Sequence, residues 1–180
     1  HGLNVNVLNN KGLTALMAAC GKGYIDTARA LIELGADVNF KGNMSKTALI
    51  GASFAGRAEL VRLLISSGAK VRAETSDGKT SLLVGSQQGH LDVVRVLLKS
   101  GAEVGTKDHF GRTALMEATY LGHTDIVRLL IEHGADVNLT DKKKGNALIF
   151  ASMQGHVETV NTVLSKTADV NAKDYADQTA

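Results

Sequence analysis

Six histidines, one cysteine and a scatter of carboxylates and amines are the side chains of this 180-residue sequence with chemical reach, and their spacing decides what they could do. His90, His123 and His156 recur every 33 residues, at a place that Tyr24 and Arg57 hold earlier in the chain. Three imidazoles one period apart, joined by no second ligand type at metal spacing, do not make a tetrahedral site. They read as a structural column, and His109 and His133 belong to no such pattern. Cys20 falls where Ser53, Ser86, Thr119 and Ser152 fall in later periods, so it reads as a small packing residue. A nucleophilic thiol needs a base fixed beside it, and the sequence nominates none. Gly21-Lys22-Gly23 resembles half of a nucleotide loop but follows a helical pattern instead of a strand, and it is set aside. Acid and base three apart in Asp26/Arg29, Glu59/Arg62, Asp92/Arg95 and Asp125/Arg128 read as ion pairs on a solvated helix face. No catalytic residue, metal or cofactor is expected.

The regularity of these positions points to the elements that carry them. Thr14, Thr47, Thr80, Thr113 and Asn146 open five segments spaced by 33 residues, each followed by a small residue and a leucine, and Thr179-Ala180 opens a sixth. Gly23, Gly56, Gly89, Gly122 and Gly155 share the period, with no insertion or deletion across five units. A threonine is a good N-cap, the apolar run after it spans two turns, and the glycine can adopt the left-handed cap. A second, longer segment such as Ile126-Val127-Arg128-Leu129-Leu130-Ile131 is apolar at helical spacing and precedes Gly134. Polar residues with turn chemistry follow, and they read as an extended finger with a tight turn. Each unit is therefore helix, turn, helix, finger. Such a unit cannot bury its own apolar face, so neighbours must stack. Leu16, Leu49, Leu82, Leu115 and Leu148 should form the spine, and Ala19, Ala52, Gly85, Ala118 and Ala151 should allow close approach.

The period of 33, the Thr-x-Leu opening, Gly-His at 89–90, 122–123 and 155–156, and Gly-Ala-Asp-Val-Asn at 35–39 and 134–138 resemble the ankyrin repeat. The family's Thr-Pro-Leu-His has lost its Pro and His in every copy, and Thr167 replaces a glycine. The resemblance implies an all-α solenoid of stacked helix-turn-helix units with projecting β-turn fingers. It forms one domain over 1–180, with a partial unit 1–8, repeats near 9–41, 42–74, 75–107, 108–140 and 141–173, and a partial unit 174–180. The chain starts at His1 and ends inside a copy, which reads as a piece of a longer array.

Composition agrees with this. There is 44% hydrophobic and 21% charged residue, no apolar run of membrane length, no secretory signal in the opening residues, and a single cysteine. An intracellular setting is expected. The net charge of +2 indicates neither nucleic acid nor an anionic membrane. Charge is instead divided by element: residues 8–13, 41–46, 74–79, 107–112 and 140–145 together carry +5, leaving −3 elsewhere, and Lys142, Lys143 and Lys144 are the densest run.

Large apolar residues also stand where the spine does not need them. Places three apart on a first helix share a face, which groups Glu117 with Tyr120 and Phe150 with Met153, alongside Phe54 and Gln87 in their own units. Met44, His109 and Phe110 at the finger tips, with Arg112 and Leu121, extend the stripe. In the family this chain resembles, finger tips and first helices line a concave surface that takes up other proteins. A non-catalytic protein-binding module is the leading expectation, with a monomer binding a protein that presents an acidic or polar edge and an apolar anchor. The alternative is a small-ligand or polyanion sensor. Thr113 to Ala118 is similar to a stretch in the ankyrin domain of oligoadenylate-dependent ribonuclease, which implies Glu117 as a base-reading acid with Lys79 and Arg112 near phosphates. A structural spacer with no partner surface is a third reading.

Overall fold

The structure is a computed structural model that describes residues 4–165 and 173–174. Ten α-helices lie among the described residues, in five pairs: α1 (Ala15–Lys22) with α2 (Ile25–Glu33), α3 (Ala48–Phe54) with α4 (Ala58–Ser66), α5 (Ser81–Gln87) with α6 (Leu91–Lys99), α7 (Ala114–Tyr120) with α8 (Thr124–Glu132), and α9 (Ala147–Met153) with α10 (Val157–Leu164). The first helix of each pair starts where a hydroxyl can cap it. Thr14, Thr47, Thr80 and Thr113 accept from the amides of Met17, Ile50, Leu83 and Met116, and Asn146 accepts in the same way from Ile149. The helix then stops at a glycine with φ between 69 and 87, and the next amide, that of Tyr24, Arg57, His90, His123 or His156, turns back to a carbonyl five residues earlier. This double closure satisfies carbonyls the helix end would leave free and sets the entry to the second helix, which has no side-chain cap of its own.

Contacts run between successive units. α1, α3, α5, α7 and α9 form one row, the even-numbered helices form a second row behind it, and each pair packs on the next. The result is an all-α solenoid. The five spine leucines are at most 2% exposed, and Ala52, Ala118 and Ala151 beside them are fully enclosed. Gly85 completes that small column: a Cβ there would sit 3.1 Å from the Val93 side chain. Of the four acid–base pairs expected on the second helices, only Asp125 to Arg128 closes among the described residues, at 3.0 Å, and Arg128 leans on to Glu158 of the next unit at 3.6 Å. The other three face solvent, where an ion pair gains too little to hold two long side chains. Thr167 lies outside the described residues.

The fingers are turns tied by their own side chains. One carboxamide or carboxylate oxygen of Asn9, Asp108 or Asp141 accepts two backbone amides: Lys11 and Leu13, Phe110 and Arg112, Lys143 and Gly145. The Thr75 hydroxyl takes the equivalent place, and a β-bridge, Glu74 with Thr80, closes that finger. The second finger departs because Gly42 has no side chain to offer. A Cβ at Gly42 would lie 2.3 Å from the Gly12 carbonyl oxygen, so neighbouring backbone excludes one. Its tip winds into a short 3-10 turn, Asn43–Ser45, with Met44 and Ser45 at φ 54 and 56. Single backbone hydrogen bonds join successive tips: Asn43 to Gly12, Ser76 to Met44, His109 to Asp77 and Lys142 to Phe110.

Candidate functional site

The tied fingers and the row of first helices share one face, and three columns of residues face it. Next to each finger base come Leu13, Lys46, Lys79, Arg112 and Gly145. On the first helices come Ala18, Gly51, Val84, Glu117 and Phe150, then one turn later Gly21, Phe54, Gln87, Tyr120 and Met153. Clefts between fingers and helices are lined by these columns in the first unit, at Leu13, Ala18 and Gly21, and between the second and third, at Lys46, Gly51, Phe54, Lys79, Val84 and Gln87.

Towards the C-terminal end the columns close on themselves. Glu117 is 3% exposed, and both its carboxylate oxygens are engaged: Oε1 accepts from Arg112 at 3.0 Å and Oε2 from the Gln87 amide at 3.1 Å. Lys79 Nζ approaches Gln87 Oε1 at 3.5 Å, and Arg112 Nε lies 3.9 Å from Asp141. A chain of polar contacts thus crosses three units. The Arg112 guanidinium carbon stands 5.5 Å from the centroid of the Phe150 ring, and Tyr120 meets the same ring edge-on at 6.0 Å. The Phe150 ring covers Gly145 so closely that a Cβ there would fall 2.8 Å from it, which is why no side chain stands at that finger base.

The expected site residues therefore divide. Met44, Phe54 and Gln87 line one cleft. Arg112, Glu117, Tyr120 and Phe150 form the C-terminal cluster, with Gln87 bridging the two. Glu117 and Phe150 belong to the wall and not to the accessible stripe, so three-residue spacing predicted their direction but not their depth: Phe150 is 9% exposed and Met153, on the same helix face, 58%. Arg112 is half-buried, Tyr120 and Leu121 are exposed, and Leu121 caps α7 without joining either group. Phe110 is 62% exposed at its tip, while the His109 ring lies against Gly78 of the preceding finger. Lys142, Lys143 and Lys144 are exposed, and Lys144 takes a left-handed φ of 61 that glycine holds in three other fingers. Lys46, Ile50, Gly51 and Val84 also line the cleft of Met44, Phe54 and Gln87 and stand outside the expected set. The signal was present: Gly51 is the smallest member of its column.

The residues with potential chemistry are occupied structurally. Nε2 of His90, His123 and His156 lies 3.0, 3.3 and 3.2 Å from the carbonyl oxygens of Phe54, Gln87 and Tyr120, each in the preceding unit. The ring N–H donates, so the column ties each unit to the one before. Among the described residues no group of three or more His, Cys, Asp or Glu is placed to hold a metal. Cys20 is buried, and burial pushes its thiol up to about 12, so it stays protonated and non-nucleophilic at neutral pH. The Asp77 carboxyl is held below the usual range, first by the Thr75 hydroxyl. No described helix is long and apolar enough to cross a membrane.

Comparison with known proteins adds two findings. The sequence matches the family described as ankyrin repeats (3 copies) over residues 1–75, 43–108 and 82–174. It is also similar to the ankyrin repeat and KH domain-containing protein mask-1 of Caenorhabditis elegans, with 61% identity over 33 residues, 18% of this chain. The match covers 1% of that relative's length.

Proposed function

Because the chain belongs to the ankyrin repeat family, whose repeats are generally protein–protein interaction modules and typically non-catalytic, we propose that it binds a partner protein on the face formed by its finger tips and first helices. One observation carries this reading. Met44, Phe54, Phe110, Tyr120 and Met153 are exposed on that face while the leucine spine behind it is closed, so several large apolar side chains stand there in solvent. The basic fingers beside it favour a partner with an acidic or polar edge. Rim charge of this kind governs encounter, whereas a few desolvated aromatic anchors govern release.

The test is affinity capture with the 180-residue chain, identification of the captured protein, and kinetics with the purified pair. Tyr120→Ala and Phe110→Ala should each weaken binding by about 2 kcal/mol, mainly through faster dissociation. Replacing Lys142, Lys143 and Lys144 with Gln should slow association and flatten its salt dependence. Unchanged binding by the aromatic variants, with loss on substitution of the outer helices, would move the surface to the other side of the stack. An oligoadenylate-like ligand is the less favoured occupant, because Glu117, which would read the base, has both oxygens committed inside the chain.

A further inference from the structure

We infer that the cleft over Gly51, between the second and third units, is the anchor subsite of this face, and that it takes an aromatic or large aliphatic side chain from a partner segment carrying a carboxylate next to it. The inference rests on the reading that this face binds protein, and it names where the anchor enters and what accompanies it.

The floor column supplies the first reason. Glu117 and Phe150 fill their places with a cluster of hydrogen bonds and stacked rings, whereas nothing lies within 4 Å of a Cβ placed on Gly51. The face is closed at one end and open here. Met44 and Phe54 stand on the cleft's border, 51% and 58% exposed, and Ile50 and Val84 underlie it, so the opening is apolar on several sides. Its volume of about 270 Å³ falls just below the ~300–1,000 Å³ of pockets for drug-sized ligands. The space suits one side chain rather than a whole small molecule.

Charge supplies the second reason. Lys46 and Lys79 both line the cleft, and neither makes an ion pair among the described residues. Lys79 has one long hydrogen bond, 3.5 Å to Gln87, and its charge also acts on Asp77. The single acid on the lining, Asp77, already accepts from the Thr75 hydroxyl. With Asp77 partly offsetting Lys79, the lining still carries one net positive charge beside an apolar slot, which complements a carboxylate next to an apolar side chain.

Panning a random dodecapeptide library on the 180-residue chain tests this directly. Selected peptides should combine Phe, Tyr, Trp, Leu or Met with Asp or Glu within two positions. Gly51→Leu, which fills the slot, should weaken them at least tenfold while the helical circular dichroism and melting temperature are kept. Lys46→Gln with Lys79→Gln should weaken them about fivefold and remove most of the salt dependence. Peptide-induced shifts of the Ile50, Gly51 and Lys79 amide resonances in the unsubstituted chain read the same site should Gly51→Leu perturb the fold. Peptides that bind Gly51→Leu as tightly as the parent, or that carry no acid, overturn the subsite. If those peptides instead lose affinity with Phe110→Ala or Tyr120→Ala, the binding face stands and only its anchor was misplaced. If no peptide is selected, or neither group of substitutions matters, both readings fall.

Discussion

At the scale of single residues, enclosed polar groups separate by whether they found a partner. Ser81 is fully buried at the first position of α5, and its hydroxyl has no hydrogen bond, while alanine occupies this place in the other four units. An unpartnered buried hydroxyl costs about 1–3 kcal/mol relative to its solvated state. Ser81→Ala should therefore raise stability by about 1 kcal/mol in a urea melt, and a lower midpoint would mean that the hydroxyl is bonded after all. Glu117 is the opposite case. Glu117→Ala removes two hydrogen bonds but leaves Arg112 and Gln87 half-exposed and able to turn to water. A loss of about 1–2 kcal/mol is expected, short of what stranding a fully buried cation would produce. An unchanged midpoint would deny the acid its role in the wall. Neither fate could be read from the sequence, because partnering depends on which units lie side by side and at what depth.

At the scale of elements, the sequence was most informative where one backbone rule acts alone. Each threonine cap and each turn glycine lies where periodicity placed it, and Asn146 caps as threonine does because it too presents an acceptor oxygen. The fingers were less legible. Asn9, Asp108 and Asp141 advertise their turns, but the different winding at Gly42 follows from a carbonyl in another unit, which no local pattern reveals. The missing prolines allow a further test. Pro suits the first helical position, where its fixed φ is native and no amide is needed. The structure adds a distinction: Ala15 is exposed, whereas Ala48, Ala114 and Ala147 are at most 2% exposed. Ala15→Pro should stabilise by about 0.4–1 kcal/mol, and the three buried sites should show less gain or a loss, since a ring must fit against packed neighbours. Equal gains at all four in thermal melts would mean that the interior there has room.

At the scale of the whole molecule, stability is a sum over neighbours, so the ends should open before the middle. In α10 only Thr159 and Val163 are buried, against four residues each in α6 and α8. Amides of residues 157–164 should exchange faster than those of 80–131 in this chain, and equal protection would contradict a stack of semi-independent units. Cys20 offers an independent probe at the other end. Its thiol is enclosed in α1 and raised to about 12, so at pH 8 a disulfide reagent should modify it only through opening of the first unit, far more slowly than in denaturant. Labelling at the denatured rate would place the thiol at the surface.

A stack of repeated units has translational symmetry in its backbone, and its inner side chains break it. From Gly51 through Val84 and Glu117 to Phe150 the first of the two helix places grows from bare to bulky, with only Ala18 and Gly21 on the other side, while the finger-base column passes from leucine through three cations to glycine. The surface consequently has a head and a tail. A docked segment that sets its anchor over Gly51 meets progressively more crowded ground in one direction only, so reversing that segment would not preserve the fit. Exchanging two units of this chain would leave every helix cap and spine leucine in register and still scramble what the face recognises.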